Sequence, residues 1–203
     1  MFGRAGSASA TPALPDITLP GARLHLRPPR RTDWHEWAML RSHNAGFLKP
    51  WEPQWAEDSL SEDYYERRYR RQCREWRDDL SYPFLIVKND DARIIGAINL
   101  NHVVRGAAQF AALGYWLAQS AQAQGYMTEA GRLIMNHAFT TLRLHRLQAA
   151  SLPENISSRA LLARLGFKEE GFAARYLQID GLWRDHVLYG LPVEAWEKRD
   201  IIA

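Results

Sequence analysis

Apolar and polar positions divide the chain into segments of contrasting period. Leu24 and Leu26 alternate with polar neighbours ahead of Pro28-Pro29 and predict a first strand. Trp34, Trp37, Ala38 and Leu40 then recur at helical spacing behind Thr32 or Asp33, either of which can cap the helix, and Asn44-Ala45-Gly46 ends it. Beyond a connection rich in Trp and Pro (Pro50, Trp51, Pro53, Trp55), Ser59 and Glu62 have the spacing of a capping box. The long helix they predict carries Tyr65, Tyr69, Cys73, Trp76 and Leu80 on one face and arginines on the other.

Phe84 to Val87 and Ile94 to Leu100 flank the polar turn Asn89-Asp90-Asp91 and predict an antiparallel hairpin. Gly106 marks a turn into a further strand, Phe110 to Leu117. That strand leads through a Gln/Ala/Ser segment to Gly125, where a second long helix begins and continues to about Leu142. Leu147 to Leu152 is again strand-like. A short helix from about Ser157 to Leu165 stops at Gly166, and a final pair of strands turns at Asp180-Gly181. This order predicts one mixed α/β (α+β) domain over residues 16–203, with one crossover where parallel strands become possible. Residues 1–15, small and Pro-rich with almost no charge, are expected to form a flexible tail.

Composition narrows the class without naming a chemistry. The 203 residues are 46% hydrophobic and 24% charged, the mix of an ordinary globular protein. No run approaches the roughly 20 apolar residues of a membrane span, and the stretch after Arg4 lacks the apolar core of a signal peptide. The lone Cys73 can form neither an internal disulfide nor a multi-cysteine metal site, so a cytoplasmic protein without a metal is expected. A formal net charge of +3 is too small to demand a nucleic-acid partner. Six arginines between residues 67 and 77 are matched by six carboxylates between 61 and 79, the pattern of a salt-bridged solvated face rather than a nucleic-acid patch.

Two segments carry chemistry. Gln122-Ala123-Gln124-Gly125-Tyr126-Met127 lies between a strand and a long helix, where free backbone N–H groups and the positive end of the helix dipole suit a phosphate. It lacks the Lys-Ser/Thr ending of an ATP-binding loop and the three glycines of a dinucleotide fingerprint. The second segment, Pro153-Glu154-Asn155-Ile156-Ser157-Ser158-Arg159 through Leu165-Gly166-Phe167, reads by itself as a capped amphipathic helix with a glycine stop.

A phosphate-type loop, one strand, then an Asn-x-x-Ser helix ending in Leu-Gly-Phe resembles the acetyl-coenzyme A half of the GCN5-related N-acetyltransferases (GNAT). The resemblance runs from about Leu24 to Leu191. Val103-Val104-Arg105-Gly106, Leu113-Gly114-Tyr115 and the run Tyr176 to Leu188 are most similar to the RimJ/RimL branch, and within it to RimJ, whose members acetylate N-terminal amines of ribosomal proteins. The resemblance implies a mixed, mostly antiparallel sheet with a splayed parallel strand pair and acetyl-coenzyme A as cosubstrate. Gln122, Ala123, Gln124, Gly125, Tyr126 and Met127 would wrap the pyrophosphate, with the strand holding Leu113 and Tyr115 and the side chain of Asn155 along the pantetheine arm. Met127 departs from the small residue of the family pattern. A basic residue often found at the place of Gln124 is also missing, which leaves Arg132 or Arg159 to supply the charge.

Direct attack of an amine on the thioester, the reaction the resemblance implies, needs no protein nucleophile. Cys73 is accordingly read as a buried small residue. Ser158 matches the serine placed near the departing thiol. His186, or its neighbour Asp185, is the candidate base, while Glu129 is as well suited to balancing the helix dipole. Trp51 and Trp55 are candidate walls of an acceptor groove. An α-amine of pKa near 7.8 is about a tenth neutral at pH 7 and a lysine is not, a gap worth roughly 3.5 kcal/mol, so a site without a strong base suits an α-amine. The expected acceptor is a protein N-terminus, that of a ribosomal protein. The alternatives are a small amine such as a polyamine or aminoglycoside, or a coenzyme A-binding regulator without catalysis.

Overall fold

The structure, a computed structural model, describes residues 13–200. Most of the expected tail therefore lies outside the described residues; of the remainder, the Leu14 N–H donates to the Tyr69 hydroxyl at 3.3 Å. Eight strands form one sheet: β1 (Leu19–Pro20), β2 (Leu24–Arg27), β3 (Tyr82–Lys88), β4 (Ile94–Val104), β5 (Phe110–Leu117), β6 (Arg146–Ser151), β7 (Lys168–Ile179) and β8 (Leu182–Pro192). Their spatial order is β1-β2-β3-β4-β5-β6-β8-β7, antiparallel throughout except for the parallel pair β5–β6. The helices are α1 (Trp34–His43), α2 (Ala45–Leu48), α3 (Glu62–Arg77), α4 (Tyr126–Asn136), α5 (Ile156–Leu165) and α6 (Val193–Asp200). This is the mixed α/β architecture the pattern predicts, down to the single parallel pair. Among the described residues no helix is long and apolar enough to cross a membrane.

Strand alternation builds two cores. Phe84, Ile86, Ile98 and Leu100 face α4 and α5, where Ala130, Ile134, Leu161 and Leu162 cover them. Leu85, Val87 and Ala97 point to the opposite face, under Trp37 and Ala38 of α1 and Tyr65 of α3. A strand buried on both faces is why β3 reads as an unbroken apolar run. The long α3 buries Tyr65, Tyr69 and Cys73 as its spacing predicts, and Arg70–Glu66 and Arg71–Glu75 pair along its solvent side.

Local boundaries correct several expectations. The α3 cap is Ser61, whose Oγ accepts from the Tyr64 N–H at 3.1 Å; Ser59 lies two residues too early. Leu80 falls beyond the helix and is exposed. Neither Thr32 nor Asp33 caps α1 through its side chain. The buried Asp33 carboxylate instead accepts from the Arg30 N–H and from both terminal nitrogens of Arg27, each 2.8 Å away. The second long helix leaves α geometry after Asn136, and His137–Thr141 form a π-helical turn.

Candidate active site

The parallel pair pins the site. β5 and β6 are in register at Phe110–Arg146, Ala111–Leu147 and Ala112–Gln148, and pairing stops there, so that the strand from Leu113 to Leu117 splays from its neighbour. Strand residues beyond the last rung have backbone groups free on the side of the opening. Leu113 is buried in the wall of this cleft, and Tyr115 projects toward α5. There its hydroxyl lies 2.8 Å from the Oγ of Ser158. Burial pushes the Tyr115 hydroxyl up to about 12, which keeps it a proton-bearing donor at neutral pH.

Ser158 is presented by the first turn of α5. Asn155 caps that turn by accepting the Ser158 N–H on its Oδ1 at 3.1 Å, and its amide NH2 has no partner among the described residues. Arg159 is committed elsewhere: it donates to the Tyr189 hydroxyl and to the Pro153 carbonyl and reaches Glu169.

At the other end of the cleft the chain enters α4 through Gln122 to Met127. Ala123 and Gly125 have positive φ, +58° and +81°, the second well suited to glycine. Gly125 is the N-cap residue, and the helix receives no side-chain cap, so its first amide donors remain open. The side chains of Gln122 and Gln124 turn back onto the loop, donating to the carbonyls of Leu117 and Ser120. Met127 buries its side chain in the core, which explains how a large residue is tolerated where the family pattern has a small one. Only its backbone remains at the loop.

The cation at this loop is Arg23, a residue the linear pattern gave no reason to select. Its guanidinium donates to the Gln124 carbonyl at 2.8 Å, sits over the Tyr126 ring and pairs with Glu129 at 2.9 Å. Glu129 thus acts as the holder of Arg23, and the pairing keeps its carboxyl below the usual range despite opposing desolvation. Arg159 makes its contacts away from the loop, with Tyr189 of β8, the Pro153 carbonyl and Glu169 of β7.

On the opposite face, Arg41 organises the Trp-rich connection. It lies over the rings of Trp37, Trp55 and Trp116, with Trp55 nearest at 4.2 Å, and forms a double contact with Glu52, which also accepts from the Trp55 indole at 2.7 Å. The tip of the β7–β8 hairpin reaches the same segment, where the Asp180 N–H donates to the Glu52 carbonyl at 2.9 Å. Trp51 is exposed beside it. His186 is buried on β8, its Nδ1 against the Arg184 carbonyl and its ring edge-on to Tyr176; it makes no hydrogen bond to the Tyr115–Ser158 pair. Asp185 instead accepts the Arg175 N–H across the hairpin. Among the described residues no group of three or more His, Cys, Asp or Glu is arranged to hold a metal.

Residues 23–168 match the sequence profile of the acetyltransferase (GNAT) domain. The chain belongs to the GNAT acetyltransferase family. Similar GNAT proteins include the [ribosomal protein uS5]-alanine N-acetyltransferase of Escherichia coli, 36% identical over 90% of this chain and 94% of its own length. The probable N-acetyltransferase YjcK of Bacillus subtilis is 35% identical over 83% of this chain and 93% of its own. Among solved structures, Mycobacterium smegmatis RimJ in complex with CoA-disulfide superposes with a TM-score of 0.82 at 34% identity, covering 88% of each chain. The GNAT match spans Arg23, the α4 loop, Tyr115 and Ser158, and ends at Lys168, the first residue of β7, so that His186 lies outside it.

Proposed function

We propose that this GNAT N-acetyltransferase transfers an acetyl group from acetyl-coenzyme A to the α-amine of a protein N-terminus, that of a ribosomal protein in the cytoplasm. Acetyl-coenzyme A is the acetyl donor. The observation that carries the acceptor class is the end-to-end similarity to the ribosomal-protein-alanine acetyltransferase. The geometry supports it, because the Tyr115–Ser158 pair supplies hydroxyl donors and no carboxylate or histidine among the described residues hydrogen-bonds to it. Such a site suits an amine that is already partly neutral at physiological pH.

In this reading the open amides of α4, Gly125 and Arg23 hold the pyrophosphate, the splayed edge of β5 and the Asn155 amide hold the pantetheine arm, and Trp51 and Trp55 flank the acceptor. The neutral amine attacks the thioester carbonyl, the C–N bond forms, the C–S bond breaks, and the amine proton ends on the thiol. A coenzyme A thiolate resembles a cysteine thiolate of pKa about 8.5, far below a tyrosine near 12, so Tyr115 and Ser158 act by hydrogen-bonding the departing sulfur rather than by full protonation. Tandem mass spectrometry of a peptide with a free N-terminus and an internal lysine tests the acceptor. Acetyl on the N-terminus is expected; acetyl mainly on the lysine refutes the reading.

A further inference from the structure

Among the described arginines, each is either paired with a carboxylate or exposed, with one exception. Arg68 of α3 is half-buried and has no carboxylate or hydrogen-bond partner among the described residues. It lies over the Trp37 ring at 5.8 Å, and Arg41 lies over the same ring at 5.4 Å. Glu52 matches the charge of Arg41, and Asp33 that of Arg27, so neither carboxylate is left for Arg68. Desolvation and the nearby Arg41 both disfavour its charged form.

Arg68 lines a recess of about 10 Å³ between α1, α3 and β4, together with Trp37, Tyr65, Gln72 and Asn99. Gln72 is only 6% exposed, and its side-chain amide has no partner among the described residues. Asn99 uses its Oδ1 to accept the Phe84 N–H, leaving its NH2 to the recess. Tyr65 has already given its hydroxyl proton to the Arg30 carbonyl. The recess thus presents three sets of donors and no charged acceptor, in a wall where an unmatched charge is costly. It lies on the sheet face opposite Tyr115, the face that carries Arg41 and Trp55: Ala97 is in register with Trp116 and packs with Trp37, whose ring lies beneath both Arg68 and Arg41.

We propose that this recess is a carboxylate subsite, in which Arg68, Gln72 and Asn99 hold the side chain of an Asp or Glu close behind the acceptor's N-terminal residue. A carboxylate is an acceptor only and binds a guanidinium fork with two oxygens, matching the donors on offer. A free volume of about 10 Å³ is room for about one water, so a carboxylate oxygen enters the recess and the rest of the side chain stays at its mouth. This inference rests on the reading of the acceptor as a protein N-terminus, and it specifies that the terminus is acidic.

The test uses the full chain and peptides that begin with Ala and carry Glu at position 2, 3 or 4, each beside its Gln counterpart. At one position the Glu peptide is expected to have a KM at least tenfold below that of the Gln peptide, with kcat within about twofold. In Arg68→Gln the difference should vanish while the dissociation constant for coenzyme A is unchanged; Arg68→Lys should retain part of it. Calorimetric binding of the same peptides to the coenzyme A-loaded protein gives a reading that does not depend on turnover. Equal behaviour of Glu and Gln peptides in the wild-type protein at every position, or no binding by any of them, overturns the subsite, and this result needs no variant that folds. α-Amine acetylation without a Glu preference refutes the subsite alone. An Arg68-dependent Glu preference in binding without α-amine acetylation supports the subsite and refutes the α-amine reading.

Discussion

The Tyr115 hydroxyl and the Ser158 Oγ, 43 residues apart in the chain, meet at 2.8 Å across the mouth of the β5–β6 splay. Because one hydroxyl donates to the other, the proton left over on the pair is free to point into the cleft. Ser158→Ala and Tyr115→Phe are each expected to lower kcat about tenfold with smaller changes in the KM for acetyl-coenzyme A, the signature of an interaction made as the thiolate departs. The double variant should lose little more than the worse single one, since each residue acts through the other. Full additivity in steady-state kinetics would separate their roles.

Arg23 is held over the α4 loop by Glu129, and its Nη2 lies 3.3 Å from where a Cβ on Gly125 would sit. Arg23→Met is expected to weaken coenzyme A binding roughly tenfold, the worth of about one charge-assisted hydrogen bond. Arg132→Met and Arg159→Met should change it less. Gly125→Val should cost tenfold or more, because a β-branched residue strains a φ of +81° and crowds the guanidinium. Calorimetry on the four variants ranks them directly.

The hydroxyl of Tyr115, pushed up to about 12, does not titrate near neutrality. With a peptide acceptor, kcat/KM should therefore rise between about pH 6 and 8 as the α-amine loses its proton. The midpoint should move with the amine when the first residue is changed to one of different basicity. A midpoint that stays fixed whatever the amine would instead assign the titration to a group of the protein.

The Nε2 of His137 is sealed from solvent and has no hydrogen-bond partner among the described residues, and the ring lies edge-on to Tyr82 and Phe84. Burial lowers its pKa below the usual 6.5. Below about pH 6.5 the unfolded chain takes up a proton that the native state resists, so stability is full above that value and falls as pH drops toward the lowered native pKa. Between pH 7 and 5 the melting temperature of His137→Phe should drop less than that of the wild type. Identical drops would exclude His137 as the source.

The order of elements, the β3–β4 hairpin, the glycine at the head of α4 and the capped helix that carries Ser158 are all legible from residues a few positions apart. Helical and strand periodicity, turn propensity and capping are properties of neighbours within about one turn. The sequence accordingly fixes which backbone donors open at Gly125 and where Ser158 is presented. It also places Leu113 and Tyr115 on the strand that borders the parallel crossover. Capping boundaries are less legible: Ser59 has the capping-box spacing to Glu62, yet it is Ser61 that accepts the Tyr64 amide.

Pairing over long separations was decided only in three dimensions. Arg23 meets Gln124 across 101 residues and Asp180 meets Glu52 across the hairpin tip. The α3 arginines show why. In the chain they look balanced by nearby acids, yet Arg67 goes to Asp58 and Glu66 is shared between Arg31 and Arg70. Arg68 is left facing a donor-lined recess. A hydrogen bond or ion pair is gained only within a few ångströms and a given angle, and these depend on strand register and helix packing rather than on spacing along the chain.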